Sequence, residues 1–508
     1  MKLSAEKTSL KKARTDVACT FLFEDRKLFD ERMNALRKVL KGRIESLLET
    51  KDFKGKEGET VVLYTEGKLA ARRLMLVGLG EQKKLTLEKI RRAAATAAKT
   101  THSLKLRSLA VEFPEASTIT ATVKESVQDI AQALAEGAAL ALYRFDKYFT
   151  EKKEKETKVT RFALISDDTK ESKEIRQGIQ LAQVIVEATC FARDLENAPS
   201  NEIYPESLAE AARQSGKEHG FKVTAFEKRQ IEKLGMGGLL AVNQGSSKQP
   251  RFIILEYGES HSESAGTVVL VGKGVTFDTG GISIKPASGM SEMKMDMSGA
   301  AAVIGTFEAV ARLKMPVHLV GLIPATENMP GGSAVKPGDI VRHYGGKTSE
   351  VDNTDAEGRL ILADALGYAE KYKPDAVIDL ATLTGACVVA LAHLATGMMG
   401  NDEKLMDALK KAGDKTYERV WPLPLFEEYE KLIKSDVADV KNVGGRWGGA
   451  ITAALFLKKF VRDYRWVHLD IAGTAILEEP LEYAPKGGSG VGVRLLVEFL
   501  KNWKKNQS

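Results

Sequence analysis

Three polar strings in the second half of the chain hold the residues best suited to chemistry. "GKGVTFDTGGISIK" supplies Lys273, Asp278 and Lys285, "EMKMDMSGA" supplies Asp296 just ahead of a helical run, and "NTDAEGR" supplies Asp355, Glu357 and Arg359. Each alone has an ordinary structural explanation. Thr354 and Glu357 have the Thr-x-x-Glu spacing of a helix capping box before the apolar "LILADALGYA". Asp296 suits a helix terminus, and Gly280 and Gly281 suit a turn. If the fold draws the strings into one cleft, however, four carboxylates share a partly buried pocket. Two unit charges about 4 Å apart repel by roughly 4 kcal/mol at an effective dielectric of about 20. Two lysines and one arginine do not balance four carboxylates. Two divalent metals would, and oxygen-rich ligation suits manganese or magnesium, with zinc acceptable. The chemistry expected of such a site is hydrolysis by metal-activated water.

Other catalytic patterns fit poorly. There is no His-Glu-x-x-His helix and no Gly-x-Ser-x-Gly elbow. "GGKT" at 345–348 lacks the earlier glycine of a phosphate loop, because position 341 is Val. "VGLGEQK" has the first two glycines of a dinucleotide fingerprint but Lys83 in place of the third. His318, His393 and His468 sit in apolar runs, where core or surface packing accounts for them.

The elements that must position the three strings read as a glycine-rich α/β region. "FIILEY", "TVVLVGKG", "VHLVGLIPA", "AVIDLATLTG" and "WVHLDIAG" are continuous apolar runs, as expected of strands covered on both faces. "SGAAAVIGTFEAVARL", "LILADALGYAEKY" and "GGAITAALFLKKFVRDY" alternate with them as helices. Ligands of open α/β sheets gather beyond the carboxyl ends of strands, where Lys273, Asp278, Glu327, Asn328 and Thr384 follow these runs. The first third alternates the short β-rich runs "VACTFLF", "TVVLYTE", "RLMLVGLG", "LAVEF" and "RFALIS" with amphipathic stretches such as "FDERMNALRKVLKGRIESLL" and "EKIRRAAATAAKTT". That pattern predicts a βαβ-style domain. The charged zone "EKKEKETK", Glu151 to Lys158, is solvated surface. A helix over 170–196, broken at Pro199 and Pro205, is expected to connect an N-terminal domain, 1–169, to a catalytic domain, 197–508.

At 508 residues the chain suggests two or three domains, and 43% apolar with 28% charged residues is ordinary for a globular protein. A net charge of +6 is mild and diffuse, so neither nucleic acid nor a membrane surface is indicated as a partner. Cys19, Cys190 and Cys387 are scattered, which suits a reducing compartment. The basic "MKLSAEKTSLKKAR" is not followed by an apolar signal core, and no run approaches the length of a membrane span. A soluble, cytoplasmic protein is expected.

The string "NTDAEGRL" resembles the hallmark of the leucyl aminopeptidase family, the cytosolic dimetal aminopeptidases. The resemblance extends over roughly residues 187 to 508 through "VGKGVTFDTGGISIK", "MKMDMSGAAAV", "ENMPGGSAVKPGDI", "DLATLTGA", "GGRWGGAITAALFL" and "GSGVGVRLL", in the expected order. It implies a smaller N-terminal α/β domain and a larger C-terminal catalytic α/β domain with a mixed central sheet flanked by helices, assembled as a homohexamer. It also implies two divalent ions, Mn2+ or Zn2+, bridged by Asp278 and Glu357. Lys273 and Asp296 would complete one metal site and Asp355 the other. By the same resemblance Lys285 and Arg359 are the catalytic side chains, with a bicarbonate at Arg359 carrying the proton. A metal-bridging hydroxide would attack the first peptide carbonyl of substrates with a free N-terminus. Lys285 and Asp296, with Met293, Thr382, Leu383 and Gly385, would bind a substrate whose first residue is leucine or another apolar side chain. Two other readings compete with this one, a dimetal phosphoesterase and a DNA-binding or regulatory role.

Overall fold

The computed structural model describes residues 1–25, 31–40, 42–151, 158–168 and 171–505. The chain forms two compact units, Met1–Glu187 with Glu479–Pro485, and Ala188–Glu478 with Lys486–Ser508. The division falls within the helix Ser172–Asn197, which realises the long helical pattern expected there. Residues 169 and 170, where that pattern begins, and 152–157 of the charged zone lie outside the described residues.

The first unit carries a six-stranded sheet of β1 (Lys2–Lys7), β2 (Val17–Leu22), β3 (Thr60–Tyr64), β4 (Arg73–Gly78), β5 (Ser108–Glu112) and β6 (Arg161–Ser166). Their order is β1-β6-β5-β2-β4-β3, parallel throughout except for β3 against β4. The five apolar runs are thus strands β2 to β6. β1 is a departure, since "KLSAEK" reads as a charged terminus yet pairs in register from Lys2↔Arg161 to Lys7↔Ser166. Besides its backbone bonds, Leu3 and Ala5 pack against the core and Glu6 takes Arg161 at 2.6 Å, while charged side chains are tolerated on an edge strand because one edge faces water.

The amphipathic stretch forms the helices Glu31–Leu40 and Arg43–Glu49, with residues 29, 30 and 41 outside the described ones. The alanine-rich stretch is the helix Leu87–Ser103, whose Thr86 hydroxyl accepts the Lys89 N–H at 3.3 Å. It lies so close to the helix Val127–Leu140 that a Cβ on Gly137 would stand 2.0 Å from the Arg91 carbonyl oxygen. After β4 the chain enters a 3-10 turn, Gln82–Lys84, not the helix that a dinucleotide fingerprint requires.

The second unit is organised by β7 (Lys222–Phe226), β8 (Arg251–Tyr257), β9 (Thr267–Gly272), β10 (Gly274–Asp278), β11 (His318–Asn328), β12 (Ile340–Arg342), β13 (Thr348–Glu350), β14 (Ala376–Ala381), β15 (Thr396–Gly400), β16 (Val420–Pro422), β17 (Val440–Lys441) and β18 (Trp466–Asp470). Nine of them form one mixed sheet in the order β16-β15-β18-β14-β9-β11-β8-β7, with β10 added to the far half of β11. At its centre β18, β14, β9 and β11 run parallel. The five continuous apolar runs are β8, β9, β11, β14 and β18.

Buried helices cover both faces of this sheet. Val269, Val271, Val320 and Leu322 share a core with Leu360, Ile361 and Leu362 of the helix Gly358–Ala369. Strand residues alternate faces, so Gly321 points the other way. There it faces Phe307 and Val303 of the helix Ser298–Arg312, at 2.9 and 3.1 Å from where a Cβ would lie. The sheet therefore sends the carboxyl ends of β9, β10, β11, β14 and β18 toward one rim. β9 and β10 are separated only by Lys273. The main-chain N–H of Lys273 donates to Leu380 O at 3.0 Å, and its carbonyl accepts from Ala300 at 2.9 Å.

Candidate metal centre

On that rim the three polar strings converge. Lys273 leaves the end of β9, and its buried Nζ donates to Asp296 Oδ1 at 2.7 Å, Glu357 Oε1 at 2.8 Å and Thr382 O at 2.8 Å. Asp278 ends β10, where its Oδ1 accepts from Gly280 N and Asn328 Nδ2, each at 2.8 Å. Lys285, on the loop after β10, pairs with Asp278 Oδ2 at 2.8 Å and with Asp355 Oδ1. Oxygens of Asp278, Asp355 and Glu357 all lie within 4.8 Å of one another. Six of the expected residues thus meet as two adjoining ion-paired groups, Lys273 with Asp296 and Glu357 and Lys285 with Asp278 and Asp355, and Thr382 joins the first by donating from Oγ1 to Asp296 Oδ1 at 2.6 Å.

The charges of this cluster do not balance. Asp278, Asp296, Asp355 and Glu357 bring four carboxylates against the ammoniums of Lys273 and Lys285. From the protein charges alone, burial and the Glu357 charge push Asp278 up to about 6. Asp296 is pushed up to about 8 by burial, with Glu357 and Asp278 adding to the effect. Burial raises Asp355 as well. For Glu357 burial acts in the same sense, but the two lysines outweigh it and hold the carboxyl low. Burial alone would lower Lys273 and Lys285, yet the carboxylates around them hold both above the usual lysine range. Asp296 Oδ2 and Glu357 Oε2 are buried without a hydrogen-bond partner. Two carboxylate oxygens with free lone pairs, in a pocket short of positive charge, fit divalent cations.

The local chain shows why "NTDAEGR" turns its carboxylates into this cluster and does not form a capping box. The helix begins at Gly358, three residues later than a Thr354 cap would start it. Glu357 supplies the first acceptor through its main-chain oxygen, to Leu360 N at 2.9 Å, which leaves its side chain free to face Lys273. The Thr354 hydroxyl instead donates to Gly280 O at 2.6 Å and accepts from Ser283 N at 2.8 Å. It clasps the Asp355 loop to the Lys285 loop. The capping expectation fails because these tertiary partners occupy the hydroxyl before a local amide can.

Arg359, at the start of the helix, is buried, and its Nη1 donates to Asn442 O at 2.7 Å while its Nε has no partner. Burial lowers its pKa to about 10, so it remains a cation at neutral pH. Met293, Leu383 and Gly385 flank the cluster along the chain. Met293 lies in the 3-10 turn Met290–Met295 leading to Asp296. Leu383 is half-buried against the core, and Gly385 opens the helix Gly385–Leu391, where an added Cβ would find no atom within 4 Å.

Two further residues shape the site without having been expected. Asn442, fully buried after β17, accepts from Asp352 N at 2.8 Å and Asn353 N at 3.3 Å, and donates to Asn353 O at 2.6 Å. It therefore cradles the loop ahead of Glu357 while its carbonyl holds Arg359. Its neighbourhood, "VKNVGG", offers no pattern that marks such a role. Asp470 ends β18 and accepts from Thr384 Oγ1 at 2.7 Å and Leu383 N at 3.2 Å, which shapes the 382–385 loop. Its signal was available, because a carboxylate ending an apolar strand run is the same pattern that singled out Asp278.

Fold and site together are those of a metal-dependent hydrolase. Residues 190–497 match the model of the cytosol aminopeptidase family catalytic domain, and 20–152 match that family's N-terminal domain. A probable cytosol aminopeptidase of Geobacter sp. (strain M21) is 50% identical over 91% of this chain and 92% of its own. One from Chlorobium limicola is 47% identical over 99% of this chain and 100% of its own. Among solved structures, a tomato leucine aminopeptidase mutant superposes with a TM-score of 0.88 at 33% identity, over 99% of this chain and 96% of that one. The bottromycin maturation enzyme BotP in complex with Mn gives 0.84 at 33% identity, over 96% and 99%. The chain belongs to the cytosol aminopeptidase family. Its activity is that of a metal-dependent aminopeptidase, and its two-domain α/β architecture is the family's. Among the described residues, no helix is long and apolar enough to cross a membrane.

Proposed function

We propose that the chain is a leucyl aminopeptidase that removes leucine and other apolar residues from the free N-terminus of peptides. The observation that carries this reading is the buried cluster in which Asp278, Asp355 and Glu357 converge within 4.8 Å, with Asp296 and two lysines around them. Asp278, Glu357, Lys273, Asp296 and Asp355 would together hold two divalent ions, Mn2+ or Zn2+. When bound, such a pair supplies Lewis-acid polarisation of a carbonyl and water that ionises near pH 7.

The remaining work falls to the chain's own residues. Lys285 presents an ammonium at the mouth of the cluster to an oxygen gaining negative charge; a preorganised donor of this kind contributes about 3 kcal/mol. Lys273 ligates only as a neutral amine, and it can lose its proton only where cations offset Asp296 and Glu357. Arg359 has an unpartnered Nε and a pKa near 10, so it binds an anion and does not act as a base. Bicarbonate is the anion assigned there, as carrier of the proton. Asp296 accepts a hydrogen bond from the substrate's free amine, which accounts for exopeptidase specificity. Thr382, Leu383, Met293 and Gly385 border the space for the first side chain, where the absence of a side chain at Gly385 leaves room.

A homohexamer in a cytoplasmic setting completes the proposal, with the N-terminal domain serving assembly. The test pairs metal analysis of the purified protein with hydrolysis of leucyl p-nitroanilide, its N-acetyl derivative and p-nitrophenyl phosphate. Two divalent ions per chain and cleavage of the free amine alone are expected. Equal cleavage of the blocked substrate would overturn the aminopeptidase reading, and a dominant phosphatase rate would replace it.

A further inference from the structure

We propose that Asn328 is a positioning residue of the metal centre, joining Asp278 to the loop that carries Asp355 and Glu357. The inference rests on the metal-centre reading above. Asn328 is the last residue of β11 and stands directly opposite Asp278 in the β10–β11 pairing. It is 1% exposed. Its amide nitrogen donates to Asp278 Oδ1 at 2.8 Å and to Thr354 O at 3.0 Å. With two acceptors on that side, only one orientation of the amide satisfies the network. Its main-chain oxygen accepts from Thr279 N at 2.9 Å and Thr279 Oγ1 at 2.8 Å, which holds the chain leaving Asp278. The amide oxygen occupies space left by Gly281, where φ is +66° and a Cβ would come within 2.8 Å.

The chemistry of the amide explains its use at this position. Asp278 Oδ1 receives two neutral N–H donors, from Asn328 and Gly280, which orient the carboxylate without cancelling its charge. Oδ2 is thereby turned toward Lys285 and the cluster. A carboxylate at position 328 would set acceptor against acceptor and add a fifth negative charge. An apolar side chain would leave Asp278 free to rotate. The two bonds of the Asn328 amide nitrogen, to Asp278 Oδ1 and to Thr354 O, fix the separation between the Asp278 strand and the "NTDAEGR" loop, two ligand sources 77 positions apart in the chain (Asp278 to Asp355). Partners of ligating carboxylates commonly control metal affinity by 10- to 100-fold.

The experiment uses the full-length protein stripped of metal, with Asn328→Ala, Asn328→Ser and Asn328→Asp. Mn2+ affinity is read by calorimetric titration, folding by thermal melting, and activity on leucyl p-nitroanilide as a function of Mn2+. The expected result is Mn2+ binding weakened by about 10- to 100-fold in Asn328→Ala. The loss should be smaller in Asn328→Ser, which keeps one donor, and largest in Asn328→Asp. The cooperative melt should persist in the Ala and Ser variants, and added Mn2+ should recover part of their rate. Wild-type Mn2+ affinity in a folded Asn328→Ala protein would overturn the proposal. So would affinity lost only in step with the folded fraction, since that is a structural role alone. Asp278→Asn separates the two levels: if it binds Mn2+ like the wild type the metal-centre reading fails, whereas if it alone loses Mn2+ only the role of Asn328 does.

Discussion

Replacing Gly358 by alanine should disable the enzyme without unfolding it. Gly358 is the first residue of its helix and lies outside the left-handed region, so alanine can adopt its backbone, and helix propensity favours alanine by about 1 kcal/mol. The added Cβ, however, would stand 2.7 Å from Cε, 2.9 Å from Nζ and 3.0 Å from Cδ of Lys273. Ordinary contacts are about 3.5–4.0 Å, so the lysine must retreat by roughly 1 Å. Its three bonds to Asp296, Glu357 and Thr382, all 2.7–2.8 Å, cannot survive that movement. A displacement of about 1 Å at a reacting centre costs on the order of 100-fold, or about 2.7 kcal/mol. The assay is kcat/KM for leucyl p-nitroanilide over a range of Mn2+, with thermal melting alongside. Gly332→Ala, where no atom lies within 4 Å, is the neutral control. If kcat/KM of Gly358→Ala falls within about threefold of the control, the close approach of Gly358 to Lys273 does not position the lysine, and the reasoning is refuted.

Lys285→Ala should lower kcat by about 10²- to 10³-fold with KM changed far less, and steady-state kinetics showing the reverse split would make Lys285 a binding residue only. In carbonate-depleted buffer the rate should fall and recover on adding bicarbonate, while an Arg359→Ala protein should show no response to either change. Glu196, buried with Oε2 accepting Gly490 N at 2.9 Å and Oε1 unpartnered, has a carboxyl pushed up to about 8 by burial, against 4.5 ordinarily. Between those values the unfolded chain binds fewer protons than the folded one, so this group's contribution to stability declines as pH rises. Glu196→Gln should therefore gain on the wild type across that range, by an order of ~3 kcal/mol at pH 7, and parallel melting curves at pH 5 and pH 8 would contradict it.

Much of the catalytic unit was legible because its strands are buried on both faces. Runs such as "TVVLVGKG" and "AVIDLATLTG" must then be apolar throughout, and the polar residue that ends each run marks the rim where ligands gather. That logic located Lys273 and Asp278 and would have served for Asp470. It could not locate β1, where only Leu3 and Ala5 alternate toward the core among the charged residues of "KLSAEK", too short a signal to mark a strand. It was equally silent on Asn442, whose role consists of hydrogen bonds to main-chain groups 86 to 90 positions away.

Residue types and spacing by themselves determined that four carboxylates and two lysines lie in three strings and that their chemistry would need extra cations. Only the tertiary structure decided where each polar atom turns. Thr354 shows the reason most clearly. Its local alternative, capping a helix, depends on an amide three residues away, whereas Gly280 O and Ser283 N arrive from a loop more than 70 positions earlier. A hydroxyl bonds whichever partners the packed sheet brings within reach, and spacing along the chain does not encode that choice. Glu357, freed from the cap, is left with one oxygen on Lys273 and the other facing a pocket short of positive charge.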